Sequence, residues 1–219
     1  MPLEMVNRLA VDIAGLKLRN PTMLAAGILG ISGASMLEGI KNGAGAVVTK
    51  SLGLKPRKGY ANPAIVQVDC GIINAMGLPN PGIEYFAKEI REAKALACPV
   101  IVSVYGFSTE EFVQVAEKAA NTGADALELN VSCPHVEKTG SEVGQDTTLL
   151  KKVVKAVKKG ASCPVFVKLT PNVTDIAECA KAAEQSGADG IVAINTVRGM
   201  AINAETAKPI LGNKFGGLS

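Results

Sequence analysis

Short apolar runs recur along the chain, each following a glycine and each closed by a polar residue. Asn42–Lys50, Thr122–Asn130 and Ser186–Asn195 share one phrase: a Gly-Ala turn, a few aliphatic positions, then Lys or Asn. The glycine suits the end of a preceding helix, and the apolar run suits a short buried strand. A second phrase alternates with the first. Cys98–Val104 and Cys163–Leu169 both open on Cys-Pro and lie 65 residues apart, while the glycines Gly123 and Gly187 are 64 apart. A period near 32 residues per strand is the span of one βα unit. The pattern predicts six parallel strands, at Thr22–Ala25, Ala46–Thr49, Val100–Val104, Ala126–Asn130, Val165–Lys168 and Ile191–Ile194.

Helical periodicity fills the spaces between them. Glu110–Asn121 puts Phe112, Val115, Ala116 and Ala119 on one face. Thr148–Lys159 puts Leu149, Val153 and Val157 opposite its lysines. Thr174–Ser186 opens on a Thr-Asp cap and turns Ile176, Ala180 and Ala183 inward.

A doubly wound open sheet and a (β/α)₈ barrel both satisfy this alternation. The strand ends separate them. Lys50, Ser103, Asn130, Lys168 and Asn195 stand at equivalent places in their repeats. A barrel gathers such residues around one mouth, whereas an open sheet strings them along an edge. No GxGxxG opens the first helix, and a single (β/α)₈ TIM-barrel domain over residues 1–219 is the expected fold. Six strands do not close an eight-stranded barrel. At this period about 65 further residues would supply two more βα units, so a C-terminally truncated chain is expected, ending on Gly216–Ser219 as a loop.

Composition narrows the function classes. The 219 residues are 47% hydrophobic and 20% charged, with a formal net charge of +3, so the chain is neither disordered nor a basic nucleic-acid binder. No apolar run reaches the length of a membrane span and no leader is evident, which places the expected protein in the cytoplasm. Five cysteines without a CxxC pair and a single histidine argue against a zinc site and for free thiols.

Three features carry chemistry. Cys133 lies in the polar loop Asn130-Val131-Ser132-Cys133-Pro134-His135 just past a strand, a position for an acid, base or nucleophile. Cys98 and Cys163 read as packing residues, and Cys70 and Cys179 as inert; His135 reads as a loop contact rather than half of a Cys-His pair. Lys50 and Lys168, each ending an apolar strand, would aim two ammonium groups into one cavity and suit a ligand with delocalised negative charge. The long segment from Ser51 to Gly82 holds two short β-like runs and no helix, and offers amides and glycines to a polar planar ligand.

Asn-Val-Ser-Cys-Pro-His at 130–135 resembles the catalytic loop of class 1 dihydroorotate dehydrogenases. So do Lys50-Ser51, Asn74-Ala75-Met76-Gly77-Leu78 with Asn80-Pro81-Gly82, Val167–Asn172, Ile194-Asn195-Thr196 and Gly216–Ser219. The resemblance runs the length of the chain and is strongest to the NAD-linked class 1B catalytic subunit. It implies an FMN-binding barrel that oxidises (S)-dihydroorotate to orotate in pyrimidine synthesis. Cys133 would remove the C5 proton while hydride passes from C6 to FMN. Lys50, Asn74, Asn130, Asn195 and Thr196 would hold the substrate, with the backbone of Ala75, Met76, Gly77 and Leu78. Ala26, Lys50, Ser51, Asn130, Lys168 and Ile194 would hold FMN, with Lys168 at its N1–O2 edge. No metal is implied. The resemblance also implies a homodimer, and a separate subunit carrying FAD and an iron–sulfur cluster, with NAD as final acceptor or else fumarate. His135, where many members have asparagine, is shared with the related dihydropyrimidine dehydrogenase domain, which is one alternative. A flavin-free (β/α)₈ lyase using a strand-end lysine as a Schiff base is another.

Overall fold

The computed structural model describes residues 8–95, 97–132 and 143–219. The wall of the molecule is one parallel sheet of six strands, β1 (Met23–Leu24), β2 (Ala46–Val48), β3 (Val100–Val104), β4 (Ala126–Asn130), β5 (Val165–Lys168) and β6 (Gly190–Val192). Each strand is hydrogen-bonded to the one before it, in chain order throughout. A doubly wound sheet reverses its strand order part-way; this one never does, which is the winding of a (β/α) barrel.

Alternation along each strand divides two cores. Outward-facing Val47, Val100, Val102, Val104, Leu127, Leu129, Val165 and Val167 are buried beneath five helices. These are α1 (Gly33–Lys41), α2 (Ile83–Ala93), α3 (Thr109–Ala120), α4 (Thr147–Gly160) and α5 (Ile176–Glu184). Side chains at Ser32, Ser108, Asp146 and Asp175 cap the starts of α1, α3, α4 and α5 by accepting from backbone N–H groups one turn in. Inward-facing Ala46, Val48, Ile101, Ala126 and Phe166 form the second core with Leu16 and Leu18. The last two belong to an N-terminal antiparallel hairpin, Val11–Ile13 with Leu16–Leu18, whose apolar side closes the floor. The sequence reading did not anticipate this hairpin, whose strands of three residues are too short to show a period.

The expected strands are present, the last ending two residues early at Val192. The helices differ in face. On α4 the buried positions are Leu150, Val153, Val154 and Val157, which share one face at i, i+3, i+4 and i+7, with Leu149 to the side of it and only half-buried. On α5, Cys179, Ala182 and Ala183 are buried while Ile176 and Ala180 pack at the margin. Asp175 alone makes the cap. Gly216–Leu218 is not a loop but a strand. It pairs antiparallel with Val197–Gly199 on one side and Gly71–Asn74 on the other, and Gly71–Asn74 forms a hairpin with Ile65–Val68. The two β-like runs of the long segment are therefore real, and they join a second, four-stranded sheet.

The 64-residue repeat has a physical device in it. At the start of β3, Asp125 accepts the Val100 N–H at 2.8 Å and pairs with Lys94 at 2.7 Å. At the start of β5, Asp189 accepts the Val165 N–H at 2.7 Å and pairs with Lys158 at 2.6 Å. Each aspartate follows a helix-ending Gly-Ala turn and clamps the preceding strand in register. Replacing Asp189 by Ala leaves the Val165 N–H without its charged acceptor, and should lower unfolding free energy by about 1–3 kcal/mol in a denaturant titration. Because the clamp sits at the end of the barrel away from the strand-end lysines, ligand binding by the folded fraction should be unchanged.

Candidate active site

The carboxyl ends of the strands converge, and β2 shows how. Val48 lies opposite Ile101 on β3, but four positions later Leu52 lies opposite Val104, so β2 runs on with one extra residue. The Thr49 hydroxyl accepts the Ser103 N–H at 3.0 Å across this bulge. A bulge re-aims side chains. Here it brings the Ser51 hydroxyl to within 2.9 Å of that of Ser103, and both are buried.

From Ser51 a polar chain crosses the mouth. Asn130, at the end of β4, donates through Nδ2 to Ser51 Oγ at 2.9 Å, and Asn195 donates through Nδ2 to Asn130 Oδ1 at 3.1 Å. Asn195 in turn accepts the Thr196 N–H through Oδ1 at 2.8 Å. Lys168 is the register partner of Asn130 on β5 and faces the same interior. Lys50, half-buried, has its backbone N–H bonded to Gly30 O at 2.8 Å, and burial pushes its amine below the ordinary lysine range. Among the described residues no carboxylate stands within ion-pair distance of Lys50 or Lys168. Ala26 packs against the inner apolar core, and Ile194 is 45% exposed beside Asn195.

The second sheet delivers Asn74 and the following loop. Asn74 Nδ2 donates to Gly217 O at 3.4 Å. A Cβ added at Gly217 would strike the Thr196 side chain, and one at Gly216 would strike the Asn74 carbonyl, so two glycines let the strands carrying Asn74 and Thr196 close together. The Ala75–Leu78 stretch is braced from behind. Arg57 donates through Nε to Gly77 O at 2.7 Å while its guanidinium lies over Tyr60 and Phe107, and Tyr60 N–H bonds Met76 O at 3.1 Å. Asn80 is buried and fully used: it donates to Leu78 O and Tyr105 Oη and accepts from Gly53 and Gly82. Asn80 is thus a structural knot of this loop.

Cys133 and His135 lie outside the described residues. Ser132, just before Cys133, is at the mouth, its N–H bonded to Asn130 Oδ1 at 3.2 Å. Of the other cysteines, Cys98 and Cys179 are buried, Cys163 is half-buried and Cys70 is exposed. Two contributors were missed in the sequence. Asn172 accepts the Arg198 N–H and donates to Thr196 O, tying the turn after β5 to the turn after β6. Glu128 is buried on the inner face of β4, two residues below Asn130. An ionisable residue inside an apolar strand was the available signal.

The family model for dihydroorotate dehydrogenase matches residues 8–219. The chain belongs to the dihydroorotate dehydrogenase family. Relatives in Methanosarcina acetivorans and Methanocaldococcus jannaschii, both named dihydroorotate dehydrogenase B (NAD(+)), catalytic subunit, are 53% and 51% identical over 95% and 96% of this chain. The chain spans 68% and 70% of their lengths. A solved structure of the dihydroorotate dehydrogenase of Eimeria tenella in complex with ferulenol shares the fold, with a TM-score of 0.75 at 22% identity. That match covers 96% of this chain and 65% of the other. No described helix is long and apolar enough to cross a membrane.

Two consequences can be measured. Gly217→Ala should displace Thr196 and weaken ligand binding about tenfold or more, an order set by overpacking costs of about 1–3 kcal/mol, with a smaller effect on the far floor hairpin. Hydrogen exchange, localised by peptide, reports the difference. The second consequence concerns Glu128, whose carboxyl burial pushes up, offset in part by the positive charge of Lys168. The folded chain then holds that proton to higher pH than the unfolded chain does. The resulting stability is complete below the ordinary glutamate value and is lost as pH rises through the raised folded value. Thermal melts should show the wild type losing stability relative to Glu128→Gln across that window.

Proposed function

We propose that this chain is the catalytic subunit of an NAD-linked dihydroorotate dehydrogenase, oxidising (S)-dihydroorotate to orotate. The observation that carries the reading is the polar chain Asn195–Asn130–Ser51 flanked by two strand-end lysines, in a chain of this family. The donor set suits FMN. Ser51 and Asn130 present hydroxyl and amide groups, Lys50 and Lys168 present cations to an electron-rich ring edge, and Ala26 and Ile194 offer apolar contact. FMN, when bound, supplies the hydride acceptor.

The residues of the chain do the rest. Asn74, Asn130, Asn195 and Thr196 hydrogen-bond the pyrimidine and its carboxylate, helped by backbone groups of Ala75 to Leu78. Lys50 would bridge substrate and flavin, and its half-buried amine, held below the ordinary lysine range by burial, would be available to an anionic ligand. Cys133 takes the C5 proton as hydride leaves C6, so the substrate loses one proton and one hydride and gains a C5–C6 double bond. Lys168 would hold the flavin at its N1–O2 edge and offset negative charge there. A second subunit with FAD and an iron–sulfur cluster carries the electrons on to NAD, and the enzyme works in the cytoplasm as a dimer of catalytic subunits.

The test is stopped-flow flavin reduction by dihydroorotate in the full-length, flavin-loaded protein. A thiol of pKa about 8.5 predicts a rate rising with pH through one ionisation. Cys133→Ala should bind orotate normally but lose a factor of ~10² to 10⁴, and Cys133→Ser should recover only at high pH. An unchanged rate in Cys133→Ala removes the base from the scheme.

A further inference from the structure

Thr196 stands one residue ahead of its strand. Val197–Gly199 begins its pairing at Val197, opposite Leu218, and among the described residues it is an edge of the four-stranded sheet. Its side away from Gly216–Leu218 meets no further strand. A residue just before the first pair of an edge strand is a place where a sheet frays. A substrate contact at such a place needs support from elsewhere.

Asn172 supplies it. Its side-chain amide donates from Nδ2 to Thr196 O at 3.2 Å and accepts the Arg198 N–H through Oδ1 at 2.9 Å. The two bonds flank Val197 as the backbone of a neighbouring strand would. Reversed, the amide would set oxygen against the Thr196 carbonyl and N–H against N–H, so its sense is fixed. Nδ2 gives its other hydrogen to Thr170 Oγ1 at 3.1 Å, and the Asn172 N–H reaches the same oxygen at 3.2 Å. Thr170 is buried. From the short turn Val143–Gln145, Gln145 Nε2 donates to Asn172 O at 3.1 Å. The brace is thus itself braced. Water satisfies exposed backbone groups at little cost, and the Arg198 bond is exposed, so stability gives little reason for this amide. What it adds over water is a fixed position. The Thr196 N–H is held by Asn195 Oδ1 and the Thr196 carbonyl by Asn172, which clamps the residue from both sides.

We propose that Asn172 is a positioning residue for substrate affinity: by bridging Thr196 O and the Arg198 N–H, it holds the Thr196 hydroxyl where the ligand meets it. Asn172 follows Lys168 by four residues, so the same turn sets the spacing between the lysine on the flavin side and the threonine on the substrate side. The inference rests on the proposed function for the ligand of Thr196.

The test uses the full-length, flavin-loaded protein. Orotate is titrated by its perturbation of the flavin spectrum, and the Arg198 amide is followed by hydrogen exchange without ligand. Asn172→Ala should weaken orotate about tenfold, the order of one hydrogen bond to a charged ligand, and Arg198 exchange should accelerate. In stopped-flow reduction by dihydroorotate, half-saturation should rise by the same factor while the limiting rate falls less than about threefold. Asn172→Asp keeps an acceptor for Arg198 but offers Thr196 O no donor. Its orotate affinity should fall as in the alanine variant while the Arg198 amide stays protected. In a Thr196→Val background, which lacks the hydroxyl, Asn172→Ala should cost less than about twofold, because residues acting through one another are not additive. The proposal is overturned if Asn172→Ala or Asn172→Asp binds orotate within about twofold of wild type. It is also overturned if Asn172→Ala loses the same factor in both backgrounds, which describes general loosening. A Thr196→Val protein that binds orotate like wild type rejects the functional reading of Thr196 instead. Arg198 exchange needs no ligand, and an unchanged rate in Asn172→Ala rejects the brace by itself.

Discussion

Alternation on a parallel strand allows no choice about the inner face: every second residue goes there, whatever it is. In this chain the lower inward positions are aliphatic or Phe and meet the floor hairpin, while the upper ones are Lys50, Ser103, Glu128, Asn130 and Lys168. A buried polar group must find a partner or bear its desolvation. The upper layer meets that demand by bonding to itself, and the bulge after Val48 is the adjustment that makes it possible. Without the extra residue Ser51 would point at the helices, and the chain linking Asn130 to Ser103 would be broken.

The second sheet answers a different problem. Asn74 and Thr196 are far apart in sequence, and neither belongs to the barrel wall. They meet because Gly71–Asn74, Gly216–Leu218 and Val197–Gly199 pair side by side, with glycines where the backbones crowd. Arg57 and Asn80 then hold the loop between, one by cation–π contact and one by four hydrogen bonds. The wall supplies donors from strand ends, and the second sheet supplies a rim braced by Arg57 and Asn80.

Much of the wall was legible beforehand. Apolar runs bounded by Gly-Ala and Cys-Pro are strong punctuation, and the polar residue closing each run marked the mouth. What stayed hidden has physical causes. Two-residue and three-residue strands carry no period, so the floor hairpin and the pairing of Gly216–Leu218 were invisible. The role of Asn80 could not be read from its segment, because an amide looks the same in sequence whether it serves a ligand or a turn. Glu128 was absorbed into the apolar strand around it. Cys133, the residue singled out most strongly from its loop, lies outside the described residues, and the argument for it rests on its neighbours in sequence and on family.

The strand order has a consequence for how the molecule is made. Because each strand of the wall bonds to the one translated before it, the sheet can be laid down in the order in which the ribosome releases it. No strand waits for one translated long after its neighbour, so the growing edge is always the newest segment, and each parallel pairing closes a loop of one βα unit. Glu128 emerges before Lys168. During synthesis its carboxyl remains in water at the open edge, and it is sealed in only when β5 docks across it. The burial of the most awkward group in the interior is thus deferred until its strand has a neighbour on both sides.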